Sequence, residues 1–118
     1  MRLRSDIWVS ALLRRCAGEG AFAVLRRRGA EEAGAIFILI DRLDGTLALY
    51  GPAPQGELAE GQEARGIERL WARQHKETWP TSEAAEARLA REMKFDSDLW
   101  IVEVEDRQGR VFFDCAPA

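Results

Sequence analysis

The sequence predicts an α+β fold: a mostly antiparallel sheet of four to six strands with two amphipathic helices packed on it, as a two-layer sandwich. Three observations carry this. Ile36-Phe37-Ile38-Leu39-Ile40 is a continuous apolar run between Gly34 and Asp41, as in a central strand covered on both faces. Asp44-Gly45, after the strand Ala35 to Leu43 that holds this run, is a strong hairpin signal. Two segments, one near each end of the chain, repeat apolar residues at helical spacing. At 118 residues and 13.3 kDa, the chain fits one domain over 1–118, since two cores would each be too small to stand without metals or disulfides.

Ser5 or Asp6 can cap a first helix over Ile7–Cys16, with Gly18 as its stop. Trp8 and Leu12 are four apart, as are Ile7 and Ala11, and Val9 with Leu13 widens the stripe. A strand is the rival reading, because Ile7, Val9, Ala11 and Leu13 also alternate. Phe22 to Arg28 reads as a strand stopped by Gly29, and Ala35 to Leu43 as the next. Thr46 to Tyr50 returns antiparallel, and Gly51-Pro52-Ala53-Pro54 ends that strand. Residues 57–66 form an acidic, glycine-interrupted excursion. Residues 67–75 fit either a helix or a fourth strand, and the strand is preferred because it extends the sheet. Pro80-Thr81-Ser82-Glu83 opens the second helix, with Ala85, Leu89 and Met93 as its buried line and an Arg88–Glu92 pair at i, i+4. Phe95 to Asp98 breaks it. Leu99 to Glu105 alternates cleanly, Trp100, Val102 and Val104 on one face and Ile101, Glu103 and Glu105 on the other. A turn at Arg107-Gln108-Gly109 leads into Val111-Phe112-Phe113 as a closing hairpin.

The net charge is −3, but it is unevenly spread. Seven arginines face only Asp6 and Glu19 in the first 28 residues, a local excess of five positive charges, and the remainder is acidic. The basic third either folds against the acidic remainder or forms a separate face. The longest apolar stretch is eight residues, Ala33 to Ile40, far short of a membrane span. Arg2 and Arg4 precede an apolar stretch interrupted by Ser10 and closed by Arg14-Arg15, with no small-residue cleavage site, so the chain reads as cytoplasmic and no membrane partner is expected. Cys16 and Cys115 read as buried reduced thiols, a bond between the termini being the rival.

No phosphate loop, dinucleotide turn or zinc-spaced cysteine set is present, and His75 is the only imidazole, so neither a cofactor nor a metal is expected. His75 reads as a surface histidine in a polar stretch. Glu103 and Glu105 share a strand face as in some metal-dependent nucleases, but such sites need a further acid, and a solvated face is the simpler reading. Arg14, Arg15, Arg26 and Arg28 are the candidate binding residues. On a regular strand Arg26 and Arg28 point one way and Arg27 the other. Trp79, in the connection before Pro80, either plugs the core or anchors a partner.

Three stretches resemble a small uncharacterised bacterial family: Ile7 to Arg15, Gly34 through Leu43-Asp44-Gly45-Thr46 to Pro54, and Phe95 to Arg107. The resemblance covers nearly the whole chain, and Ser97 departs from it where a proline is expected. The family is a domain of unknown function, so the resemblance implies a free-standing bacterial domain and no activity. The composition points to a non-catalytic protein-interaction module, binding another protein or a second copy of itself. A weak nucleic-acid-binding domain using the N-terminal arginines is the alternative, and a small enzyme with a carboxylate or histidine site the second.

Overall fold

The computed structural model describes residues 3–54 and 69–117. In chain order the elements are α1 (Ser5–Gly18), β1 (Phe22–Arg27), β2 (Ile36–Asp41), β3 (Leu47–Pro52), β4 (Trp71–Arg73), α2 (Ser82–Phe95) and β5 (Trp100–Glu105). The excursion expected at 57–66 lies outside the described residues, as do Ile67 and Glu68 of the fourth strand; that strand is realised as Trp71–Arg73. No helix among the described residues is long and apolar enough to cross a membrane.

The five strands form one sheet in the order β1-β5-β2-β3-β4. It is mostly antiparallel, with one parallel pair at its centre, β2 and β5. Short-turn reasoning does not anticipate that pair: α2 carries the chain back across the sheet, so β5 runs alongside β2 rather than against it. β5 enters between β1 and β2 and has both neighbours in place. That is why Val111–Phe113 forms no closing strand. The segment crosses instead to the far edge, where Trp71 donates its N–H to Asp114 O and accepts from Ala116 N, both at 2.9 Å.

The helices do not share a face, so the expected two-layer sandwich is a three-layer one. Ile36, Ile38, Ile40, Trp100, Val102 and Val104 pack with Val9, Leu12 and Cys16 of α1. Phe37, Leu39, Leu47, Leu49 and Ile101 pack with Ala85 and Leu89 of α2. Alternate residues of β2 and β5 thus fill two separate cores, and Ile36 to Ile40 are all buried.

Several boundaries move for local reasons. α1 starts at Ser5 with Arg4 before it and no side-chain cap. The Ser5 and Asp6 N–H groups donate to the carbonyls of Glu32 and Glu31, and the fully buried Ser5 hydroxyl donates to Gly34 O at 2.6 Å. The buried stripe is therefore Ser5, Val9, Leu12 and Cys16, and Ile7 is exposed. α1 also continues through Gly18. The hairpin turn spans Arg42–Thr46, with Leu43 in the left-handed region. β3 runs on through Gly51 and Pro52, which pair with Ala72 and Trp71. In α2 the Thr81 hydroxyl accepts from Ala84 N and Arg88 meets Glu92 at 2.9 Å, as expected, whereas Met93 is partly exposed. The link between β1 and β2 wraps the start of β5, Ala30 N donating to Asp98 O at 2.9 Å. A Cβ on Gly29 would lie 2.2 Å from that same carbonyl oxygen, so only glycine fits. Both cysteines are free, Cys16 buried and Cys115, against expectation, exposed.

Candidate functional site

The five residues singled out in the sequence do not meet on one surface. β1 pairs with β5 as Leu25 opposite Val102 and Arg27 opposite Ile101, leaving Arg26 as the extra residue of a bulge. The bulge breaks the alternation read from the sequence, so Arg26 and Arg28 do not point the same way. Arg26 turns to the α2 face, where it binds Glu86 at 2.9 Å and Glu103 at 3.1 Å. Arg28 goes to the α1 face and stacks over Trp100 at 5.1 Å. Arg27 donates to Ser97 O at 2.6 Å.

Arg14 and Arg28 come together in a cleft of about 320 Å³ between α1 and β1. Val9, Leu13, Leu25 and Trp100 form its apolar lining. Among the described residues, no acid pairs with Arg14 and no side chain hydrogen-bonds the Arg28 guanidinium. Asp6 lies at the cleft but is held by Arg4 at 3.2 Å. Arg15 points elsewhere, donating to Phe112 O at 3.1 Å beside the chain's C-terminal segment. Arg4 also reaches Glu31 and Glu32, so part of the basic third is spent on acids of the remainder.

Trp79 is half-buried against the α1-side core. The Arg42 guanidinium covers its ring at 4.6 Å and Gly109 lies beneath it. That geometry is a plug. His75 is not a free surface group either: it is half-buried, and both ring nitrogens contact backbone groups.

One constellation escapes sequence reasoning. Asp41, Glu103 and Glu105, all half-buried, place carboxylate oxygens within 4.8 Å of one another. The acid that Glu103 and Glu105 lack in sequence is Asp41, brought beside Glu105 by the parallel register. Burial pushes the Glu103 carboxyl up, Arg26 draws it down, and Asp41 and Glu105 push it up further. Oxygen donors at this spacing suit a hard divalent cation, although Arg26 already neutralises one of the three. Asp106, next along the chain, faces away and is bound by Arg110.

Among curated proteins, none matches the chain. Several solved structures do. A protein from A. tumefaciens, solved in solution, is 45% identical over 89% of this chain and 86% of its own, with a TM-score of 0.71. A DUF1491 family protein from Caulobacter crescentus, solved as a crystal, is 34% identical over 99% of this chain and 100% of its own, with a TM-score of 0.76. An NMR structure of a DUF1491 family protein from the same organism is 36% identical over 100% and 99%, with a TM-score of 0.77. A family model described as a protein of unknown function, DUF1491, matches residues 3–114. The chain therefore belongs to the DUF1491 family.

Proposed function

We propose that the chain is a non-catalytic protein-interaction module of a bacterial cytoplasmic protein, and that it pairs with its partner through the outer edge of β1. The contrast between the two ends of the sheet carries this reading. β4 is short, and the C-terminal segment covers its outer edge through Trp71. β1 pairs with β5 on one side and, among the described residues, with no strand on the other. Along it Phe22 is 61% exposed, Val24 37% and Leu25 36%. The apolar stretch Phe22–Leu25, ahead of the bulge at Arg26, is a template for another strand.

Affinity capture from native cytosol with the wild-type chain and a Phe22→Lys/Val24→Lys variant tests the reading, together with sedimentation velocity. The expected result is a partner, or a second copy, held by the wild type and lost by the variant, with slowed amide exchange across Phe22–Arg27 in the complex. A wild-type chain that stays monomeric and holds nothing the variant fails to hold overturns the reading.

The nucleic-acid alternative retains Arg14 and Arg28, since Arg15 and Arg26 are engaged with a carbonyl and two carboxylates.

A further inference from the structure

The cleft between α1 and β1 opens alongside the free strand edge, and its chemistry restricts what can lie there. Leu25 is the β1 residue that points into it, between Val9 and Leu13 on one side and Trp100 on the other. A strand added to β1 sends every second side chain to this face, about 7 Å apart. The position beside Leu25 is apolar. The flanking positions meet Arg14 and Arg28, two guanidinium groups that make no ion pair among the described residues, Arg28 feeling Asp6 only through its charge, in the most basic part of the sequence. On the opposite face the added strand lies against Phe22 and Val24, which stand beside Glu105 and Glu103 in the register. Apolar side chains suit that face, and acidic ones are repelled by it.

We propose, building on the β1-edge reading above, that the α1–β1 cleft receives an extended acidic segment of a partner protein. Its backbone adds to β1, one apolar side chain fills the space between Val9, Leu13 and Leu25, and its carboxylates bind Arg14 and Arg28. Strand addition supplies affinity through the main chain, and the cleft supplies selectivity. Asp6 is no obstacle, because Arg4 already neutralises it.

Fluorescence anisotropy with the full chain tests this. The probe is a fluorescein-labelled octapeptide, Ser-Val-Glu-Val-Leu-Val-Glu-Ser, whose Leu and two flanking Glu side chains share one face; its counterpart carries lysine for both glutamates. The acidic peptide is expected to bind saturably and about tenfold more tightly than the lysine peptide, and to weaken as salt rises from about 50 to about 300 mM. Arg14→Glu is expected to weaken it severalfold and Arg14→Glu/Arg28→Glu by about tenfold or more. Arg14 is exposed and, among the described residues, has no acid partner, so the single variant folds as the wild type does. Backbone amide signals of Phe22–Arg27 are expected to shift on binding.

Equal binding of both peptides with the β1 amides shifting overturns the acidic selectivity and leaves the edge reading standing. Acidic binding with those amides unmoved overturns both. Absence of binding by either peptide overturns the cleft proposal alone, since the edge reading has its own test. Binding of a labelled oligothymidylate through Arg14 and Arg28, with the peptide unbound, overturns it in favour of nucleic acid.

Discussion

The imidazole of His75 completes the ladder of β3 where β4 has ended: Leu49 N–H donates to Nε2 at 2.9 Å, and Nδ1 donates to Glu77 O at 2.7 Å. Only the neutral ring protonated at Nδ1 satisfies both contacts. The one histidine of the chain is thus a backbone cap, holding the edge of β3 and the 74–77 turn together. His75→Ala leaves the Leu49 N–H without a partner and is expected to cost about 1–3 kcal/mol in urea unfolding, with faster exchange at that amide. An unchanged midpoint would refute the capping role.

Asp106 and Arg110 make a bidentate ion pair. Asp106 is 8% exposed and accepts Arg110 N–H at 2.8 Å, Nε at 3.1 Å and a second guanidinium nitrogen at 3.0 Å. The Arg110 hydrogen bonds hold its carboxyl below the ordinary range. Its stabilisation is therefore fully present above the unfolded-chain value of about 4 and disappears as pH falls through the lower native value. Asp106→Asn should lose about 2 kcal/mol at pH 7. Unfolding curves of variant and wild type should converge on acidification below about pH 4, and a gap that persists there would contradict this account.

Glu103 has the opposite sign. Burial and its two carboxylate neighbours raise its proton affinity in the folded state, so its contribution is complete below the ordinary glutamate value and falls away as pH rises through the native one. Glu103→Gln is expected to hold or modestly raise stability at pH 7. It should also remove the gain the wild type shows on mild acidification. A clear loss at pH 7 would mean that the Arg26 ion pair outweighs the crowding of three acids.

Gly109 has φ +66°, and a Cβ there would lie 2.4 Å from Cζ2 of Trp79. Gly109→Ala combines backbone strain with overpacking, each worth about 1–2 kcal/mol. The indole should be lifted from its seat and its emission shifted to the red, with Trp79→Phe as the control that removes the signal. Blue, unshifted emission and full stability would mean that Trp79 does not plug the core.

What was legible in the sequence follows from how local each decision is. The Ile36–Ile40 run identified the central strand, because burial on both faces leaves no polar alternation. The same run argued against placing both helices on one side, since the second face then has no cover. Pairing was illegible where a helix intervenes: nothing in residues 100–105 says that β5 lies parallel to β2, and without that register Asp41 has no visible link to Glu105. The Arg26–Arg28 assignment failed at a single bulge, which carries no composition of its own. Arg14 and Arg28 were named in the sequence as candidates. Their shared cleft was beyond it, because Arg28 reaches the α1 face only once the bulge has shifted the alternation.

The placement of β5 between β1 and β2 has a consequence for biogenesis. β1 emerges early in synthesis, yet its mate among the described strands, β5, follows roughly eighty residues later, so local order cannot shelter it on the ribosome. The sheet cannot close before residues 100–105 have left the ribosome. A nascent or truncated form ending before Trp100 would carry the apolar ribbon Phe22–Leu25 bare on both edges, a hazard for chaperones to manage and a reason for such fragments to aggregate.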